Sequence, residues 1–305
     1  MVEDEIVIRE MKEGDRREVA ELICVSTNYW YKTHGMAKIF PDGPESADIF
    51  YQVYSALEGS AGIVADAGGR LAGSCFFHVR PTHVSLGIMN VHPNYFGRGV
   101  ARRLLERIIA VADGEGKPLR LVSSALNLDS FSLYTRAGFV PRRAYQDIAI
   151  AVPEEGLGIE AELSGKVRPA TLHDVERMAE VEMAVSGIRR ESDYRHFIEN
   201  PEGFWHVSVC EGEGGELEGF LASGPSMLGP GVARGEAGAA ALVLAELERR
   251  RGRSTVFLVP VECGELVRQV YSWGGRNCEL HFAQVRGAGA PFQGVSLPTF
   301  MPETG

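Results

Sequence analysis

A chain of 305 residues is about two domains at roughly 150 residues each. With 45% hydrophobic and 24% charged residues it has globular composition, which excludes a disordered or fibrous chain. No stretch approaches the ~18 consecutive apolar residues of a membrane span, and a formal charge of −10 argues against nucleic acid, which is bound through Lys and Arg.

Val7-Ile8-Arg9 reads as a short strand, and Asp15 as the cap of a helix from Arg16 onward. Asn28-Tyr29-Trp30-Tyr31-Lys32-Thr33-His34 then falls between the first two predicted helices; its aromatic residues suit the lip of a pocket or a staple to the core. Ile63-Val64-Ala65 and Arg70-Leu71-Ala72 flank a Gly68-Gly69 turn, as in a hairpin.

Ser85–Val91 reads as a largely buried strand that His92-Pro93 ends, since Pro cannot continue the ladder. Phe96-Gly97-Arg98-Gly99-Val100-Ala101 follows, and then a helix through Arg102, Arg103 and Leu104. Strand, glycine turn and helix N-terminus bring unpaired backbone N–H groups and the positive end of the helix dipole to one point, which suits a phosphate. Arg98, Arg102 and Arg103 are available for outer oxygens, although a plain strand-to-helix turn would look the same. Neither GxxxxGK[ST] nor GxGxxG is satisfied, so the two nucleotide-loop readings fail.

Leu119–Ser124 reads as the next strand, followed by a helix that Asn127 or Asp129 caps and Gly138 ends. Asn127, Ser130 and Tyr134 share one face of it at spacings of three and four; by spacing alone a core tyrosine with a satisfied hydroxyl is the better reading of Tyr134.

The same grammar then recurs. Val167-Arg168 with Asp174 repeats Ile8-Arg9 with Asp15, and Val207–Val209 with Leu217–Gly219 repeats the hairpin. A Gly-to-Tyr stretch runs from Gly99 to Tyr134 and again from Gly235 to Tyr271. Three elements in one order indicate a duplicated αβ unit. Val152-Pro153-Glu154-Glu155-Gly156-Leu157-Gly158 reads as the linker, giving domains at 1–152 and 166–305 joined through 153–165. The first holds 17 Lys and Arg against 18 Asp and Glu, and the remainder 14 against 23. The acidic second half serves solubility or attracts a cationic small molecule.

The residues at 96–101 and 127–139 resemble the GNAT superfamily of acyl-CoA-dependent N-acyltransferases. The family's cofactor turn, Arg/Gln-x-x-Gly-x-Gly/Ala, corresponds to Phe96–Ala101, and its Asn…Tyr…Gly-Phe pattern to Asn127, Ser130, Tyr134, Gly138 and Phe139. The resemblance implies an α/β (α+β) fold of two tandem GNAT-like domains, each a mixed, mostly antiparallel twisted sheet flanked by helices. It implies acetyl-CoA as co-substrate, with pantetheine pairing to the backbone of Met89, Asn90 and Val91 like an added strand. Pyrophosphate would lie at Phe96, Gly97, Arg98, Gly99, Val100, Ala101 and Arg102. Asn127 and Ser130 would line the cofactor arm, and Tyr134 would protonate the departing thiolate. The expected reaction is direct attack by a primary amine of a small molecule on the thioester, without a metal.

Three departures stand out. Phe96 replaces Arg or Gln, and Ser130 replaces a small apolar residue. Ser85 stands six residues before Val91, where the family often has a Glu or His base. His83 is the nearest candidate base, a water chain or an amine that arrives deprotonated being the alternatives. Tyr29 and Trp30 are the candidate acceptor contacts. In the second half Glu236 puts negative charge at the matching turn, no amide matches Asn127, and the acyl-CoA site is expected to be lost, leaving that half to wall the acceptor cleft. Two other readings remain: a non-catalytic acyl-CoA-binding module, and an enzyme of mycothiol-synthase type, also a tandem GNAT protein. The acidic Met1–Glu5 lacks a secretory pattern, and five scattered cysteines form no CxxC pair, so a cytoplasmic protein without disulfides or zinc is expected.

Overall fold

The structure is a computed structural model that describes residues 5–303. The chain divides into two compact units, one holding residues up to Leu119 together with Phe300–Glu303, the other Arg120–Thr299.

In the first unit the order is β1 (Ile6–Glu10), α1 (Arg16–Thr33), α2 (Asp48–Ala56), β2 (Ser60–Ala67), β3 (Leu71–Val79), β4 (Val84–Val91) and α3 (Val100–Gly114). The strands pair antiparallel in the order β1-β2-β3-β4. Val19, Leu22 and Ile23 of α1 and Tyr54 of α2 bury against Val64, Leu71 and Phe76, which is the apolar stripe of an amphipathic helix meeting one face of a sheet. Leu104, Leu105 and Ile108 of α3 are likewise buried, and α3 packs on β3 and β4. The β3–β4 register slips between Cys75↔Met89 and Phe77↔Leu86, so β4 carries a bulge at Gly87-Ile88.

The second unit opens within β5 (Leu119–Ser124), followed by α4 (Leu128–Arg136) and β6 (Val140–Ala151), then β7 (Val167–Pro169), α5 (Val175–Ser186) and α6 (Glu191–Glu199). It continues through β8 (His206–Glu211), β9 (Leu217–Ser223), β10 (Leu228–Ala233), α7 (Glu236–Glu248), β11 (Ser254–Pro260), α8 (Gly264–Ser272), β12 (Arg276–Arg286) and β13 (Val295–Leu297). One of its sheets runs β13-β10-β9-β8-β7, the other strands lying in the order β5-β12-β6-β11. The second order reads the same when the repeats are exchanged. The strand after α4 pairs with the strand before α8, and the strand after α8 lies beside the strand before α4. Each repeat therefore lends its last long strand to the other. That exchange explains why packing divides the chain at 119/120, whereas the repeat divides it at 152–165. β6 is drawn into the second unit by antiparallel pairing with β11 and β12.

The duplication is visible in side chains. The Arg9 guanidinium forks onto Asp15 at 2.7 and 3.0 Å and reaches Asp66 of β2 at 2.9 Å. Arg168 forks onto Asp174 at 2.8 and 2.7 Å and reaches Glu211 of β8 at 2.9 Å. Asp15 and Asp174 each also accept the backbone N–H three residues earlier, so one carboxylate ties a strand end to the helix that follows.

Candidate active site

The turn after β4 is built by its sequence. Pro93 opens a single 3-10 turn at Pro93–Tyr95, and the His92 imidazole accepts the Asn94 amide at 3.2 Å. Gly97 and Gly99 then take φ of +77° and +74°, the left-handed region that glycine enters without steric cost. A Cβ at either position would meet no protein atom within 4 Å. Gly99 is the N-cap of α3, and the first intrahelical bond runs from Arg103 N to Gly99 O at 3.1 Å. Among the described residues no protein group accepts from the amides of Gly99, Val100, Ala101 or Arg102. Arg98 and Arg102 are exposed and Arg103 half-buried. Arg98 lies over the Tyr95 ring at 5.3 Å, and Arg102 pairs with Glu106 at 3.5 Å. These are several N–H donors and a dipole at one point, with cations nearby, a combination that holds an anion.

Met89, Asn90 and Val91 pair through their backbone with Cys75, Ser74 and Gly73 of β3. The Asn90 side chain donates to Ser26 Oγ of α1 at 2.7 Å, while its Oδ1 is buried without a partner. The bulge beside them rests on Tyr54, which sequence reasoning missed. Its hydroxyl accepts the Ile88 amide at 3.3 Å and the Glu303 amide at 3.1 Å and donates to Phe300 O at 3.1 Å. A Cβ on Gly87 would come within 2.7 Å of the Tyr54 ring. Complete burial pushes the Tyr54 phenol far above its ordinary value, so it serves as a fixed hydrogen-bonding post. No local pattern marks it, because its partners lie 34 and about 250 positions away.

Ser85 is fully buried, donated to by Arg80 and 2.9 Å from His83 Nε2, while His83 Nδ1 lies 3.0 Å from Thr82 Oγ1. His83 is itself only 1% exposed. Tyr29 and Trp30 do not lie in a loop as expected: α1 runs on to Thr33. The helix continues because its inner face stays buried through Ser26 and because Asn28 clamps the Phe40 backbone in both directions, at 2.8 and 3.0 Å. Tyr29 packs edge-on against Phe96 with centroids 5.8 Å apart, and Trp30 stacks on His34 at 4.2 Å. Phe96, in place of the basic residue, thus joins an aromatic pair.

In the second unit, Asn127 caps α4 by accepting the Ser130 amide at 3.1 Å, and Gly138 with φ +90° follows the helix. Tyr134 is 6% exposed, its ring 5.7 Å from Phe139. The counterpart of the phosphate turn is filled by the protein itself. The Glu218 carboxylate accepts the Gly235 amide at 2.8 Å, and Glu236 accepts the Leu266 amide of α8 at 2.7 Å. Tyr271, the counterpart of Tyr134, is 43% exposed and donates to Gln146 at 2.6 Å. The β10 bulge lies between Leu228↔Ser223 and Gly231↔Leu221, matching the β4 bulge, and sets Gly231, Val232 and Ala233 opposite in role to Met89, Asn90 and Val91. Those three residues pair with Leu297, Ser296 and Val295 of β13. β13 therefore stays within its own repeat.

No metal was expected from the cysteines, yet among the described residues Asp147, Glu279 and His281 bring one ligand atom each within 4.8 Å of one another. His281 Nδ1 lies 2.9 Å from Asp147, and Ser124 donates to Glu279. The group joins β6 to β12, so its proximity follows from the strand exchange.

The model of the acetyltransferase (GNAT) family matches residues 25–139. No curated protein matches the chain in sequence. Among solved structures, a protein described as an expected acetyltransferase from Pyrococcus horikoshii superposes with a TM-score of 0.72 at 15% identity, covering 97% of this chain and 95% of that one. A GCN5-related N-acetyltransferase from Sphaerobacter thermophilus gives 0.63 at 16% identity, covering 96% and 99%. A tandem GNAT protein from the clavulanic acid biosynthesis pathway gives 0.59 at 13%, covering 93% and 98%. At these identities the likeness is one of fold.

Proposed function

We propose that this chain, whose residues 25–139 match the acetyltransferase (GNAT) family model, transfers an acetyl group from acetyl-CoA to a primary amine of a small molecule, in its N-terminal repeat. The observation that carries the reading is the contrast between two copies of one turn. At Gly99–Arg102 the backbone donors have no protein acceptor among the described residues, whereas Glu218 holds the donor at Gly235. An anion gains from the first and is repelled at the second.

Pyrophosphate binds the amides of Gly99 to Arg102, the Arg98 amide being held by Tyr95 O at 3.3 Å, with the Arg98 and Arg102 side chains on outer oxygens. Pantetheine pairs with Met89, Asn90 and Val91, and the resemblance assigns Asn127 and Ser130 to the same arm. The neutral amine attacks the thioester carbonyl, the C–N bond forms and the C–S bond breaks. Tyr134 gives its proton to the leaving thiolate, and the amine's proton passes to water, from which the Tyr134 phenolate is reprotonated. His83 is placed behind Ser85 and Thr82, which favours an amine that arrives deprotonated over a side-chain base. The cytoplasm, where acetyl-CoA is abundant, is the compartment this reading requires.

Thiol release from acetyl-CoA measured against a broad panel of primary amines tests it. Release that rises with one class of amine is the expected result. Binding of acetyl-CoA with no amine-dependent release would replace the enzyme by an acyl-CoA-binding module, the reading that the absence of a carboxylate or accessible imidazole at Ser85 favours.

A further inference from the structure

Beside the β10 bulge lies a cleft of about 240 Å³, its mouth included, whose innermost space is the size of one water molecule. Arg190, Glu182 and Tyr145 line it together with Val232, Ser296 and Phe292. Arg190 is 2% exposed. Its Nε donates to Glu182 at 3.1 Å and its Nη2 donates to the same carboxylate, but its Nη1 is buried with no partner. A buried guanidinium N–H without an acceptor costs about 1–3 kcal/mol, and Arg190 is among the residues that line the cleft.

Two further arginines lie behind the Phe292 ring that lines the cleft. Arg143 and Arg120 lie over the Phe292 ring at 4.6 and 5.4 Å, and Arg120 also donates to Ser186 O at 3.0 Å. Ser296 Oγ accepts from Arg143 at 2.9 Å and lies 2.8 Å from the Tyr145 hydroxyl. Glu182 also accepts from the Tyr194 hydroxyl, and Glu262 is bonded to Arg143 at 2.6 Å.

We propose that the second repeat, having lost its acyl-CoA site, binds the carboxylate head of a small molecule on Arg190 Nη1 in this cleft. A carboxylate oxygen matches both the single donor and the water-sized inner space. The rest of the molecule extends into the mouth against Val232 and Phe292, and the water-sized inner space admits a single carboxylate oxygen. A charge-assisted N–H···O bond in a buried site is the strong kind.

The test uses the full chain and acetate, with formate and propionate as the size series and chloride at equal ionic strength as the control. Titration followed by methyl NMR should show saturable binding of one acetate per chain, with shifts confined to the Val232, Ile188 and Leu297 methyls. Arg190→Met alone strands the Glu182 carboxylate and is expected to unfold the unit. The double variant Arg190→Met/Glu182→Met removes both charges, a replacement that buried ion pairs tolerate. It should bind acetate at least tenfold more weakly while its affinity for acetyl-CoA stays within twofold. Absence of saturable acetate binding, shifts elsewhere in the chain, unchanged affinity in the double variant, or equally tight binding of chloride would each overturn the assignment.

Discussion

Val232 of β10 is paired with Ser296 of β13 at the register position that Asn90 holds in β4. In each repeat the third strand of the sheet carries a bulge, and the residues just after it offer their backbone to whatever lies alongside. The second repeat fills that place with its own C-terminal strand and fills the adjoining helix N-terminus with Glu218. Duplication followed by self-occupation accounts for a chain with two copies of the fold and one proposed cofactor site.

One consequence is a stoichiometry of one acetyl-CoA per chain by calorimetry. Gly99→Glu should weaken binding at least 100-fold, because it sets a carboxylate where phosphate would lie. A left-handed φ strains any side chain by about 1–2 kcal/mol, so Gly99→Asn, neutral and tolerant of that region, is the control and should lose less than tenfold. Equal losses in the two would make strain, not charge, the cause; an unaffected Gly99→Glu would remove the turn from the site.

Tyr54→Phe leaves the amides of Ile88 and Glu303 without their acceptor and the carbonyl of Phe300 without its donor. Stranding buried groups costs about 1–3 kcal/mol, while the ring still stacks on Phe76 at 4.9 Å. A lower denaturant midpoint together with faster hydrogen exchange at Ile88 is expected. Unchanged exchange at Ile88 would show that the bulge does not depend on the hydroxyl.

Local chemistry made much of this legible beforehand. Pro93, Gly97 and Gly99 mark a turn whose geometry only such residues adopt, Asn127 is a cap recognisable by its side chain, and Arg9 with Asp15 predicts its own copy at Arg168 with Asp174. What stayed hidden depends on partners far away in sequence. Strand exchange between β6 and β12 leaves no trace in periodicity, since either strand presents the same alternation to any neighbour. Tyr29 and Trp30 read as loop residues because aromatic residues are indifferent helix formers, and the clamp between Asn28 and Phe40 that keeps the helix going is tertiary. Glu218 could be read as a strand residue but not as the group that closes the second turn.

The paired Arg–Asp clamps differ in burial, and that sets their pH dependence. The Asp174 side chain is 3% exposed and Asp15 13%. Arg168 bonding, resisted by burial and aided by the Thr171 amide, holds Asp174 far below the ordinary carboxylate value of 3.8; Arg9 lowers Asp15 in the same way. A carboxylate depressed on folding stabilises the protein fully above its unfolded value and loses that contribution as pH falls towards its folded one. Stability should therefore decline from about pH 4 downward. Asp174→Asn should cost roughly 2–3 kcal/mol at pH 7, more than Asp15→Asn, and flatten the acid limb. Urea denaturation at pH 7 and pH 3 measures both, and an equally steep limb in Asp174→Asn would place the acid sensitivity elsewhere.

Tyr134→Phe separates a catalytic phenol from a packing one. The ring sits 5.7 Å from Phe139 and is nearly buried, so phenylalanine preserves the packing and acetyl-CoA affinity should stay within about threefold. Loss of a general acid removes typically 10²–10⁴ in rate, and turnover should fall by that order. The fall depends on the leaving group. A thiol of pKa near 8.5 needs a proton as it departs, whereas an acetyl thioester of a more acidic thiol leaves readily as the anion. Turnover of such a thioester should be much less sensitive to the substitution than turnover of acetyl-CoA. A structural defect would slow both donors alike, so an equal loss would deny Tyr134 the role of acid even if activity were low.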